Sequence, residues 1–202
     1  MLGLMKEHPL IDTAELRGTL VVELPGGLDR MRQLVLYVAD RLADAQHFGV
    51  IKLNKVLWRA DFRSFATCGE PVTGREYRRL EFGPAPREAQ QLRRQMVEEG
   101  SLRIDKAEAV DGKIEHRPVA LRPANLSSFN TQDLRFVDDA IAYYRDMTGT
   151  ETSDDSHGAA WKSRNNGDPM PYELALLSDR PIGRKQFLRL QSKIEEEGSQ
   201  SL

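Results

Sequence analysis

The chain has 202 residues, 40% of them hydrophobic and 30% charged, with 29 Lys and Arg against 31 Asp and Glu for a formal net charge of -2. That mixture excludes fibrous and intrinsically disordered classes, and one large domain or two small ones of this length can fold without disulfides or a structural metal. It also excludes the overall positive field that draws nucleic acids and anionic membranes, leaving only a local basic face open.

Residues 1–28 are expected to form an N-terminal arm or edge strand, because Leu20-Val21-Val22-Glu23-Leu24 has β-branched character before Pro25-Gly26-Gly27 interrupts it. Asp29 is placed to cap a helix in which Met31, Leu34, Val35, Val38, Leu42 and Ala45 recur three and four apart, up to Gly49. A second helix is expected from Ile51 through Phe65, packed antiparallel to the first. It carries Leu53, Val56, Leu57 and Ala60 on one side and Lys52, Lys55, Arg59 and Arg63 largely on the other. Gly69, Pro71 and Gly74 mark a loop, and Pro84 and Pro86 forbid a helix interior. A third helix starts just after Pro86, turns Ala89, Leu92 and Met96 inward, and stops at Gly100.

Leu102 to Ala109 and Lys113 to Leu121 flank Asp111-Gly112, a pair suited to the positive backbone angles of a hairpin turn. Asn130 or Thr131 caps the next helix, whose Leu134, Val137, Ile141 and Tyr144 keep helical spacing before Gly149 stops it. A short helical segment is expected around Ser153 to Lys162, a loop from Asn165 to Pro171, and a last helix aligned by Phe187, Leu190 and Ile194. No repeat or sharp change of composition marks a linker. The expected fold is therefore α+β: a predominantly helical single domain over residues 29–175 with a small antiparallel hairpin or sheet. An arm over 1–28 precedes it, and a C-terminal helix and tail over 176–202 follow.

Reactive chemistry has little to work with. Cys68 stands alone, and His8, His47, His116 and His157 lack paired metal-ligand spacing, so neither a disulfide, a metal nor a cofactor is expected. Pro25-Gly26-Gly27 lacks the Lys-Ser/Thr ending of a phosphate loop. Ser156 and His157 follow Asp154 and Asp155, but neighbouring helical residues point about 100° apart, whereas a nucleophilic triad converges from separate parts of a fold. No catalytic residue is assigned. Lys6, Glu7 and His8 stand where a signal peptide needs its apolar centre, and no apolar run approaches the ~20 residues that cross a bilayer, so the expected place is the reducing cytoplasm.

Arg75, Arg78, Arg79, Arg87, Arg93, Arg94 and Arg103 cluster around a helix and hairpin, a layout akin to a winged helix. Glu76, Glu81, Glu88, Glu98 and Glu99 occupy the same window, which favours a solvated, salt-bridged surface over DNA binding. Trp58, Phe62, Tyr77, Phe82, Tyr143, Tyr144 and Trp161 are candidates for interface anchors or for core.

Three segments, in this order, resemble the Panacea domain, the family of SocA-like antitoxins and phage-associated proteins. They are Lys52-Leu53-Asn54-Lys55-Val56-Leu57-Trp58-Arg59-Ala60-Asp61; Glu81-Phe82-Gly83-Pro84-Ala85-Pro86 within Tyr77 to Pro86; and Ser156-His157 with Trp161. The resemblance implies a structural role for Lys52, Leu53, Lys55, Gly83 and Pro84. It also implies an antitoxin without enzymatic activity that binds a cognate protein toxin, commonly encoded beside it, and in some members delivers that partner to a protease. The side chains expected to touch the partner are Arg59, Tyr77, Phe82, His157 and Trp161. The alternative is a transcriptional or phage-associated regulator that binds DNA through the arginine-rich helix and hairpin.

Overall fold

A computed structural model of the chain describes residues 18–108, 112 and 114–177. Its helices are α1 (Gly27–Arg41), α2 (Val50–Cys68), α3 (Ala89–Glu98), α4 (Thr131–Tyr144), α5 (Gly149–Asp155) and α6 (Ala159–Lys162). The strands are β1 (Tyr77–Arg78), β2 (Ala85–Pro86), β3 (Leu102–Glu108), β4 (Ile114–Ala120) and β5 (Pro169–Met170), and a 3-10 helix spans Tyr172–Leu176. This is the mostly helical α+β fold expected from the sequence.

Helix α2 is the central element, because its two sides serve two cores. Leu53, Val56, Leu57 and Ala60 join Met31, Leu34, Val35 and Val38 of α1 and Val137, Ile141 and Tyr144 of α4 in the larger one. Phe62 joins Tyr77, Met170, Tyr172 and Leu174 in a second, aromatic one. Phe62 meets the Tyr77 ring edge-on at 5.5 Å and the tilted Tyr172 ring at 5.3 Å, geometries that the aromatic quadrupole favours. The expectation of a single apolar side on α2 is corrected here: Lys52 and Lys55, placed on its polar side, are 1% and 2% exposed.

Several boundaries differ from expectation for local reasons. Asp29 does not cap α1. The cap is Gly26 in the left-handed region at φ 95°, and Asp29 lies inside the first turn, where its charge favours the helix dipole. The helix ends at Arg41 rather than near Gly49, and the turns that follow still bury Leu42, Ala45 and Phe48. Helix α4 ends at Tyr144, and Gly149 opens α5 instead of stopping α4, because Thr148 and Glu151 form a capping box one residue ahead of it. The segment expected as one helix from Ser153 to Lys162 is therefore two, broken between Ser156 and Gly158.

The small sheet has the order β2-β1-β5 and is antiparallel throughout, with Tyr77 opposite both Pro86 and Met170. Pairing of Pro169-Met170 with β1 corrects the loop expected at Asn165 to Pro171. Two-residue strands leave no period to read, and their proline content misleads. The hairpin β3-β4 is as expected, in register from Leu102 opposite Ala120 to Glu108 opposite Ile114, with Gly112 at φ 76°. Asp111 of its turn, the first 17 residues of the arm and the helix expected around Phe187 lie outside the described residues. The described part of the arm is not a strand. Val22 donates its N–H to the Gly74 carbonyl at 3.0 Å, and Thr19 accepts from the Tyr172 N–H at 2.9 Å, so it crosses the second core on isolated bonds.

Candidate functional site

The two buried lysines of α2 each reach a different piece of the chain. Lys52 donates to the Met147 carbonyl and, at 3.1 Å, to that of Arg145, closing the carbonyl end that follows α4. Burial pushes its amine down to about 8, held back by the charges of Glu115, Asp146 and Glu151. One turn later Lys55 donates to the Pro84 carbonyl at 2.9 Å, and burial alone takes its amine down to about 7.

Pro84 belongs to the turn between β1 and β2, where Gly83 closes a bond from its N–H to the Leu80 carbonyl at 3.0 Å. Gly83 is required twice over. Its φ is 94°, and a Cβ there would stand 2.1 Å from Ser156 Oγ and 2.6 Å from Lys55 Cε. The junction between α5 and α6 thus rests directly on this glycine. From the same junction Trp161 donates its indole N–H to the Leu80 carbonyl at 2.8 Å, while the His157 ring stacks on the indole at 3.9 Å. Arg79 lies over the indole ring, 3.6 Å from its centroid. His157 and Trp161 therefore do share one place, although His157 precedes α6 and the two are not on a common helix.

Ser156 is fully buried, and its hydroxyl donates to the Ser153 carbonyl at 2.7 Å. No hydrogen bond joins it to His157 among the described residues, so a nucleophile and base are not paired here. Burial, and then the charge of Lys55, holds the His157 imidazole below its ordinary range, against the opposing pull of Asp154 and a bond to the Glu81 backbone.

Asp61 was not singled out from the sequence, yet it organises the second core. Fully buried, it accepts from the Thr73 N–H at 2.6 Å, from the Thr73 hydroxyl, and from the Tyr77 hydroxyl at 2.8 Å. Burial lifts its carboxyl to about 6 against the opposing effect of those donors. The available signal was a carboxylate on the apolar side of a helix, next to Ala60, where an unpaired charge is not tolerated. Tyr77, expected as a partner contact, is 1% exposed, so it supports this core from within.

The remaining expected contacts are accessible. Phe82, at the tip of the β1–β2 turn, is 58% exposed, and His157 and Trp161 are half-buried. Arg59 lies in an open groove of about 600 Å³ between α2, the α5–α6 junction and the 3-10 helix, bordered by Trp58, Phe62, Arg63, Asp155, Leu174 and Leu177. Its guanidinium sits over the Tyr143 ring, 3.4 Å from the centroid, while Tyr143 and Tyr144 donate their hydroxyls to the two oxygens of Asp155 at 2.7 and 2.8 Å.

The basic cluster proposed for DNA is largely neutralised. Arg75 pairs with Glu88, Arg78 and Arg87 with Glu76, and Arg103 with Asp105, while Arg93 donates to Asn54. Among the described residues no three His, Cys, Asp or Glu side chains are placed to hold a metal, and no helix is long and apolar enough to cross a membrane.

Buried lysines tied to backbone carbonyls, a glycine turn locked under a serine and a tryptophan pinned to that turn hold three distant segments of the chain together. Apart from Lys52, these residues fall within the region that family comparison matches. The model of the antitoxin SocA-like Panacea domain matches residues 53–162, more than half of the chain, and the protein belongs to that family. No curated protein and no solved structure matches it.

Proposed function

We propose that this protein is an antitoxin that neutralises a protein toxin by direct binding in the cytoplasm, masking the toxin's working surface and carrying out no catalysis of its own. The family supports the antitoxin role. The observation that carries the mechanism is the use to which the signature residues are put. Lys55, Gly83, Pro84, Ser156 and Trp161 bond or pack against one another and fix the β1–β2 turn against the α5–α6 junction. That bracing holds Phe82 outward and places His157 and Trp161 beside it, a rigid presentation of aromatic and cationic groups of the kind that anchors protein interfaces. Arg59, Phe82, His157 and Trp161 are the proposed contacts, with Tyr77 behind them.

Expression of the neighbouring reading frame, alone and together with this chain, tests the reading. Growth arrest by the neighbour, relieved on co-expression with recovery of a stable complex, is the expected outcome. A harmless neighbour and no complex would overturn it. Delivery of the toxin to a protease, a second mode in this family, predicts that the toxin's half-life shortens when this protein is present and recovers in a protease-deficient host.

A further inference from the structure

Two arginines on the groove along α2 lack the ion pair that many arginines elsewhere on the surface have among the described residues. Arg30, Arg32, Arg75, Arg78, Arg87, Arg103 and Arg145 each have a carboxylate within ion-pair distance. Arg59 and Arg63, one helical turn apart on the groove wall, have none among the described residues. Asp155 also lines the groove, its carboxylate accepting the Tyr143 and Tyr144 hydroxyls, and it supplies one negative charge against the two arginines. The stacking of Arg59 on Tyr143 fixes the plane of one guanidinium without neutralising it.

Beside these cations the groove presents apolar and aromatic side chains. Trp58 and Phe62 line it, the buried indole N–H of Trp58 having no hydrogen-bond partner among the described residues. Leu174 and Leu177 form the facing lip, and Tyr143 and Leu177 at the margins are 40% and 48% exposed. A simple anion such as phosphate would satisfy the arginines and leave the aromatic side chains wet. A purely apolar helix would cover the aromatic side chains and bury two unpaired charges. The groove therefore suits a chain that brings both kinds of group within a few residues.

We infer that this groove seats a segment of the partner protein in which acidic side chains flank an aromatic or aliphatic one, the carboxylates pairing with Arg59 and Arg63 and the apolar side chain lying on Trp58 and Phe62. The inference rests on the antitoxin reading above and names the chemistry of its partner. Fork-shaped guanidinium recognition of carboxylate gives the site its preference, and the aromatic side chains its hold.

The test uses the full chain and the toxin from the neighbouring frame. Binding is measured for the wild type, for Arg59→Gln with Arg63→Gln, and for Arg63→Gln alone, which alters only an exposed side chain. The expected result is at least a tenfold loss of affinity in the double variant and a smaller loss in the single one, with unchanged circular dichroism in the single variant. In parallel Arg63→Lys places an amine at the groove, and a carbodiimide should join it to an Asp or Glu of the toxin. Wild-type affinity in both Gln variants, with the complex intact, overturns the groove and leaves the antitoxin reading standing. An amide bond from that amine to Asp179 or Glu195 to Glu197 of this chain, or to a second copy, assigns the groove to another occupant and overturns it equally. Absence of any complex with the wild type removes the reading on which the inference rests.

Discussion

Lys55 makes the fold respond to pH in a direction opposite to that of an ordinary surface lysine pair. Its amine is 2% exposed, donates to one carbonyl, and has no carboxylate beside it, which takes it from 10.5 in the open chain down to about 7 in the fold. Between those two values the unfolded chain binds the proton and the folded chain does not, so protonation favours unfolding. The cost is complete below about pH 7 and is relieved progressively as pH rises towards 10.5. Integrated from about pH 6.5 to about pH 9.5, this one group adds about 3 kcal/mol of stability. Lys55→Met removes the titration and leaves the Pro84 carbonyl without its donor, a cost of about 1–3 kcal/mol that does not depend on pH. Lys52 and the other groups remain in both proteins and largely cancel, apart from His157, which faces the same amine and loses a neighbouring charge. Urea unfolding followed by circular dichroism should therefore show the advantage of wild type over variant growing by about 3 kcal/mol across that range. A difference that stays constant with pH would refute the account of Lys55 as a desolvated amine.

Gly83→Ala should cost at least about 2 kcal/mol in the same assay, since the new methyl would meet Ser156 Oγ and Lys55 Cε at a positive φ; a change under about 0.5 kcal/mol would show that the junction gives way freely. For Asp61, lifted to about 6, the sign is set by a folded value above the open-chain 3.8. Its stabilisation is present below the open-chain value and lost as pH rises through about 6, so Asp61→Asn should gain on wild type by about 2 kcal/mol between about pH 4 and about pH 6, read by urea midpoints. Phe82→Asp should leave the melting temperature within about 2 °C of wild type, as expected for a side chain mostly in water. On the proposed function, the same substitution weakens the toxin complex at least tenfold by titration calorimetry.

The large helices were legible because Met31, Leu34, Val35 and Val38, and likewise Val137, Ile141 and Tyr144, repeat at the helical period and all become buried. The hairpin was legible through the residues flanking its turn. What escaped was set by long-range partners. Lys52 and Lys55 read as solvated because a lysine's usual place is water, and only the carbonyls of Arg145, Met147 and Pro84, far along the chain, make their burial tolerable. Asp61 escaped for the same reason, its donors Thr73 and Tyr77 lying across a loop of no regular period. The sheet escaped because β1, β2 and β5 are two residues each. Of the proposed contacts, Phe82 and Arg59 are accessible, whereas Tyr77, which the sequence left open between interface and core, is internal.

This division between bracing and contact has a consequence for how variants should fail. Lys52, Lys55, Asp61 and Gly83 hold one segment to another from buried positions or by close packing, so substituting them acts first on folding. Arg63 and Phe82 are exposed, so on the proposed function substituting them acts first on the partner. A scaffold built this way can exchange its outward side chains without disturbing the turn and junction that present them. The two groups should therefore separate on a plot of melting temperature against toxin affinity: bracing variants lose both together, contact variants lose affinity alone. If Phe82 or Arg63 variants instead lose melting temperature in step with affinity, the exposed groups are part of the fold's support and the docking surface lies elsewhere.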